Sequence, residues 1–320
     1  MATDSPDAQT ATPGQVAVWP ETVSDLAEQI GVTVKGRTKV RVWSMSGVER
    51  LDLVDGRTVI LKYAVQRFGE EPAILRHAAE HGVPVPKVLA SKVQPDGSAA
   101  FFLEDLGDRV REATLQDAAQ AAAAIHRCPP MDGIPVLDQA ALAALPTSSL
   151  ATLDHLQAAG RWKEADTNGI RATLQRLQRV AEQRAADADL PPFGLCHSEF
   201  HPTSLHVTNR GPFLLDLARA FTGPGLLDLV SWQGTVDPLD LGKVTELLDA
   251  YVAAGGPEEA TADRGGLPAH RWASGWFKMW IAEWFMESTL KYALTTDSDA
   301  PNQRGVLRDL REAAECLVDA

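Results

Sequence analysis

The pattern of apolar and polar positions changes period twice along the chain. Residues Glu21–Ile30 carry apolar positions at helical spacing, which predicts a short helix with Thr22 or Ser24 near its start. Lys39–Trp43 and Val48–Val54 then alternate as half-buried strands do, and Asp55-Gly56 is a hairpin turn into a third strand, Thr58–Tyr63. A helix opens at Glu71 and runs through Ile74, Leu75 and Ala78. The segment Gly82–Pro86 is a loop entering a strand, and the apolar run Ala99–Leu103 is a further strand that stops at Glu104-Asp105-Leu106-Gly107.

From Thr114 the period is helical. Leu115–His126 is an alanine-rich helix, and residues 131–190 read as two or three helices with turns near Pro146, Gly160 and Gly169. Helical spacing returns over Leu226–Trp232, Leu239–Tyr251 and His270–Tyr292, with a polar, acidic loop at 255–266. Between these helical stretches lie two short apolar runs, Leu205–Val207 and Phe213–Leu215, joined by a turn at Asn209–Pro212. Strands followed by helices predict an α+β protein with an antiparallel sheet in its first part and a mostly helical remainder.

Composition adds boundaries. At 320 residues the chain is long enough for one large domain or two lobes, and 45% apolar with 23% charged residues is a globular composition. Residues 1–18 are rich in Ala, Thr, Asp and Pro and read as a disordered tail. A net charge of −13 argues against nucleic acid or an anionic membrane surface as partner. No run of eighteen apolar residues is present, and no secretory signal is visible at the start. Three widely spaced cysteines, Cys128, Cys196 and Cys316, fit a reducing, cytoplasmic setting. Whether the chain is a monomer or a homodimer stays open.

The candidate chemistry gathers at Cys196–Val207 and the strand after it. Glu199 and Ser204 are five apart, and Asp216 follows Glu199 by seventeen. A carboxylate, an oxygen ligand and a second carboxylate beyond a hairpin is the order of a kinase catalytic loop and metal-binding strand. Lys62 ends an apolar strand, where a charge needs a partner. Glu71 and Glu70 compete for that role, and Glu71 is preferred because it lies one turn before Leu75 on the same helix face.

These residues resemble the aminoglycoside phosphotransferase family, kinase-like enzymes that phosphorylate antibiotics and other small molecules. The family pattern is His-x-Asp-x-His-Pro-x-Asn, then a strand ending in Asp, then Gly and a further Asp. His197, His201 and Pro202 match it, Asp216 matches the strand-ending Asp, and Gly223 and Asp228 follow Asp216 by seven and twelve. Two positions depart: Glu199 stands where the family has its catalytic Asp, and Ser204 where it has its metal-binding Asn.

The resemblance implies a two-lobed, protein-kinase-like fold, with an N-lobe over 19–103 and a helical C-lobe over 104–320 carrying the catalytic loop and acceptor pocket. It implies ATP or another nucleoside triphosphate, Mg²⁺, and a hydroxylated small molecule as acceptor, with cationic compounds and antibiotics among the candidates. Lys62 with Glu71, and Ser46 and Gly47 at a small-residue turn, would hold phosphates. The backbone of Phe102, Leu103, Glu104 and Asp105 would hold the adenine. Asp216 and Ser204 would bind the metal, and Glu199 would orient or deprotonate the acceptor. Asp228 would be structural, holding the catalytic loop.

Glutamate reaches about one methylene further than aspartate, and a displacement of about 1 Å can cost on the order of a hundredfold in rate. A nucleotide-binding pseudokinase is therefore the rival reading. A zinc site on His197, Glu199, His201 and His206 is another, but it leaves Pro202 and the downstream Asp spacing without a role. Trp272, Trp276, Trp280 and Trp284 recur one turn apart, as a core stripe or as a wall of the acceptor pocket with Glu283 and Glu287 beside it.

Overall fold

The computed structural model describes residues 20–42, 45–65, 68–235, 237–292 and 296–319. The tail expected over 1–18, and Trp43 and Ser44, lie outside them. The chain divides into two compact units. The first takes the described residues up to Glu80 together with Val85–Arg109, and the second takes His81–Pro84 and everything from Val110.

The first unit is built on an antiparallel sheet of five strands: β1 (Val34–Val42), β2 (Ser46–Leu53), β3 (Thr58–Ala64), β4 (Val88–Val93) and β5 (Ala99–Glu104). Their order is β1-β2-β3-β5-β4, so β3 and β5 are central. Because strand side chains alternate, Val59, Leu61 and Tyr63 of β3 share a face with Ala100 and Phe102 of β5. That face forms one core with Val23, Leu26 and Ala27 of helix α1 (Pro20–Gln29). Lys62 lies on the other face. Helix α2 (Glu71–Glu80) buries Ile74, Leu75 and Ala78.

Strand β1 begins at Val34, five residues before the alternation that announced it, because its residues are mostly exposed and their pattern is blurred by Lys35, Gly36 and Arg37. Ser46 and Gly47 open β2 and are part of the ladder, paired with Ala64 and Tyr63.

The second unit is mostly helical: α3 (Leu115–Ile125), α4 (Gln139–Ala158), α5 (Glu164–Arg184), α6 (Leu226–Ser231), α7 (Leu241–Ala253), α8 (Ala269–Tyr292) and α9 (Asp299–Leu317). Helix α3 starts on a capping box in which the Thr114 hydroxyl accepts from the Asp117 N–H and the Asp117 carboxylate accepts from the Thr114 N–H. Pro146 does not mark a turn. It lies inside α4 and is buried there, at the cost of one helix hydrogen bond. Gly169 likewise lies inside α5, where a Cβ would come within 3.3 Å of Leu307 Cδ1. The glycine permits close packing of α5 on α9. Only Gly160 of the three expected breaks is a turn, with φ +67°.

Two antiparallel strand pairs also belong to this unit. Strand β6 (Phe193–Cys196) pairs with β9 (Phe221–Pro224), and β7 (Leu205–Thr208) pairs with β8 (Gly211–Leu214). No helix among the described residues is long and apolar enough to cross a membrane.

Candidate active site

In the first unit, Lys62 Nζ lies 2.7 Å from both carboxylate oxygens of Glu71, and both side chains are buried. Strand alternation points Lys62 away from the α1 core, and Glu71 at the start of α2 meets it. A charge taken out of water on a strand interior persists because its partner is equally buried. Gly47 has a packing reason for its identity. A Cβ there would stand 2.2 Å from Tyr63 Cζ, so the ring lies directly on the glycine. The Tyr63 hydroxyl donates to Glu49 Oε1 at 3.1 Å, and Arg37 Nε donates to Glu49 Oε2 at 2.8 Å. Burial first, and then the Glu49 charge, push the Tyr63 phenol up to about 12.

Phe102 and Leu103 sit inside β5 with strands on both sides. The Glu104 N–H donates to the Lys87 carbonyl at 2.9 Å, and Glu104 Oε1 accepts the Lys87 N–H at 3.0 Å. Asp105 is half-buried and bonded on two sides. It pairs with Arg50 Nε at 2.8 Å and accepts the Gly107 N–H at 3.0 Å. Burial works against its charge, but the Gly107 N–H, the Thr58 hydroxyl and Arg50 outweigh it and hold the carboxyl below the usual range.

In the second unit, the loop after β6 is pinned by Asp228 of α6. The fully buried carboxylate accepts the His197 N–H at 2.6 Å and the Ser198 N–H at 2.8 Å. His126 Nε2 lies 3.2 Å from the same carboxylate, and His126 Nδ1 lies 3.2 Å from the Tyr251 hydroxyl. Asp228 thus holds the loop through its backbone. Ser198 has φ +80°, a left-handed conformation that a side chain resists, and its buried hydroxyl has no hydrogen-bond partner.

The loop in turn places Asp216. His197 Nε2 donates to the Leu215 carbonyl at 2.7 Å, and its Nδ1 accepts the Glu199 N–H at 3.2 Å. The Leu215 N–H donates to the Ser204 carbonyl at 2.8 Å. Both backbone groups of the residue before Asp216 are therefore held by the loop, and Asp216 itself sits at φ +65°. The Ser204 hydroxyl donates to the His201 carbonyl at 2.7 Å and accepts the His201 N–H at 3.1 Å. It closes its own turn, with one lone pair left over. Since His197 gives both ring nitrogens to backbone groups and His201 Nδ1 lies 2.8 Å from Thr203 Oγ1, these histidines do not form the zinc cluster considered above.

A second group of ligand-type side chains does gather, with atoms of His126, Cys196 and Asp228 within 4.8 Å of one another. It is satisfied internally. The Cys196 thiol donates to the Gly223 carbonyl at 3.3 Å, and burial, with the Asp228 charge, raises it well above an ordinary thiol.

Glu199 is tied to a residue that the sequence reading passed over. Arg219 Nη1 donates to Glu199 Oε1 at 2.9 Å, and the Arg219 guanidinium lies 3.9 Å from the Trp284 ring centroid. The signal was available: Arg219 is a lone charge within Leu217-Ala218-Arg219-Ala220-Phe221, and such a charge needs a partner. His126 and Tyr251 carried no comparable signal, because each follows or sits in an ordinary helical stretch. The tryptophan stripe divides. Trp272 and Trp276 are buried and donate their indole N–H groups to the Arg184 carbonyl at 2.6 and 3.0 Å. Trp280 and Trp284 are half-buried and face Phe221 and Arg219. The first half of the stripe is core, and the second half supports Arg219, the partner of Glu199.

Solved structures of similar fold include several phosphotransferases. A thermostable mutant of aminoglycoside phosphotransferase APH(4)-Ia has a TM-score of 0.57 at 18% identity, covering 91% of this chain and 99% of that one. Macrolide 2'-phosphotransferase MphH from Brachybacterium faecium has a TM-score of 0.56 at 17% identity, covering 91% and 97%. An aminoglycoside phosphotransferase from Alicyclobacillus acidocaldarius has a TM-score of 0.55 at 14% identity, covering 98% and 97%. At these identities the likeness establishes the fold, which is the kinase-like α+β fold expected from the motifs. No curated protein matches the chain. The model of the phosphotransferase enzyme family, APH, matches residues 54–269, about two thirds of the chain, from the turn before β3 to the start of α8. The chain belongs to the phosphotransferase enzyme family.

Proposed function

We propose that this protein transfers the γ-phosphoryl group of ATP to a hydroxyl of a small molecule. Lys62, fixed by its buried ion pair with Glu71, would bind phosphate oxygens. Asp216 offers the hard carboxylate oxygen that Mg²⁺ prefers, and Ser204 has one lone pair to add. Bound there, the metal would neutralise charge on the phosphates. Glu199 would receive the acceptor's proton as its oxygen bonds to the γ-phosphorus. The bond from that phosphorus to the bridging oxygen breaks, and the electron pair leaves with the nucleoside diphosphate. Chemistry of this kind needs positioning more than covalent help.

The observation that carries the reading is the construction around Asp216. Leu215 gives its carbonyl to His197 and its N–H to Ser204, so the loop bearing Glu199 and the strand end bearing Asp216 are one unit of structure. A related APH(4)-Ia structure holds AMP-PNP and hygromycin B together, which makes aminoglycosides a first acceptor class to try. A second reading, nucleotide binding without transfer, draws on the two departures: Glu199 is engaged by Arg219 and Ser204 by its own turn. ATP consumption and product mass are to be measured with hygromycin B, a macrolide, nucleosides and short peptides, beside Asp216→Ala. A phosphorylated product from the wild type and none from Asp216→Ala supports transfer. Bound nucleotide with no product from any acceptor favours the second reading.

A further inference from the structure

We propose that Arg219, seated on Trp284, is the positioning residue for Glu199. The inference rests on the phosphotransfer reading and explains how a longer carboxylate serves at the base position. Glutamate has one more rotatable bond than aspartate, and the Glu199 side chain is 34% exposed, so alone it would sample several rotamers. Arg219 removes that freedom. Its own side chain is only 7% exposed. The guanidinium stacks 3.9 Å from the Trp284 centroid and 5.9 Å from that of Trp280, which packs against Phe221 at 4.8 Å. A guanidinium seated over an aromatic ring loses much of its own side-chain freedom. Nη1 donates to Glu199 Oε1 at 2.9 Å. Among the described residues nothing else bonds this carboxylate, so Oε2 is the oxygen left to face a hydroxyl. The loop supplies a further restraint, since the Glu199 N–H is held by His197 Nδ1.

The probe is MgATP with water as acceptor, read as phosphate release, and in parallel MgATP with hygromycin B. Arg219→Gln is expected to lower kcat about a hundredfold, the scale of a misplacement of about 1 Å, with KM for ATP changed less than about twofold. Arg219→Lys should recover part of the loss, and Trp284→Leu should reproduce part of it. In a Glu199→Gln background, Arg219→Gln should cost little more. Urea midpoints establish that each variant is folded. Wild-type turnover with kcat unchanged in Arg219→Gln, or an equal loss in both backgrounds, overturns the positioning role and leaves the phosphotransfer reading standing. No phosphate release and no product from the wild type overturns both.

Discussion

Lys62 and Glu71 form a buried ion pair, with Nζ 2.7 Å from each carboxylate oxygen. Removing one partner strands the other charge, whereas replacing both with apolar side chains does not. Lys62→Met should therefore destabilise the protein by about 3–5 kcal/mol. Lys62→Met combined with Glu71→Leu should recover most of that loss in urea unfolding, yet still fail to bind a fluorescent ATP analogue. Stability and nucleotide binding then separate, which a purely structural pair would not show.

Asp228 accepts two loop N–H groups while fully buried, and His126 lies against the same carboxylate. An amide in its place keeps one acceptor and turns the other into a donor facing an N–H. Asp228→Asn should cost on the order of 2–4 kcal/mol, since hydrogen bonds to buried charge are the stronger kind. Thermal unfolding measures it, and an unchanged Tm would contradict the role given to this carboxylate.

The candidate loop was legible in the sequence because its chemistry lies in residue types at fixed spacing, and in the second unit His197 bonds Asp228, Glu199 and Leu215, the residue before Asp216. The same holds for Lys62 and Glu71, nine residues apart. What could not be read was contact between distant segments. Arg219 on Trp284 joins residues sixty-five apart, and His126 on Asp228 joins residues about a hundred apart. Local rules also failed where tertiary packing overrode them. Pro146 stayed in a helix because its ring is buried, and α9 went unread because its apolar positions are few among charged ones.

Ser198 holds φ +80° with an orphaned hydroxyl, between two residues whose backbone N–H groups are hydrogen-bonded. A left-handed conformation costs a residue with a side chain about 1–2 kcal/mol, and glycine avoids it. Glycine also gives the unfolded chain more freedom, worth about 0.5–1 kcal/mol in the other direction. Ser198→Gly should thus raise stability by about 0.5–1 kcal/mol, seen as a higher urea midpoint with an unchanged slope.

Asp117 should govern part of the response to acid. The Arg111 guanidinium is the main cause, and with the Thr114 hydroxyl and N–H it overcomes burial and pulls the carboxyl far below its ordinary value of 3.8. The pair is bidentate, at 2.5 and 2.9 Å. A group whose folded value is depressed contributes stability that is complete above its unfolded value and is lost as pH falls towards the folded one. The contribution from Asp117 is therefore intact at neutral pH and declines below about pH 4. Asp117→Asn should flatten the loss of Tm between pH 4 and pH 2, at the expense of a lower Tm at pH 7.

Gly47 allows a test of whether its identity follows from phosphate approach or from packing. A Cβ would meet Tyr63 Cζ at 2.2 Å and Oη at 2.4 Å, too close for either to stay. The ring cannot swing aside freely, because its hydroxyl is bonded to Glu49 and its body lies in the α1 core. Overpacking of this kind costs about 1–3 kcal/mol. Gly47→Ala should therefore lower the urea midpoint. Adding Tyr63→Val opens the space the methyl needs but leaves Glu49 without its hydroxyl donor, so only part of the loss should return. If packing is the reason for the glycine, nucleotide affinity in the double variant should approach that of Tyr63→Val alone. If affinity stays low while stability returns, the backbone at Gly47 needs its bareness for the nucleotide itself.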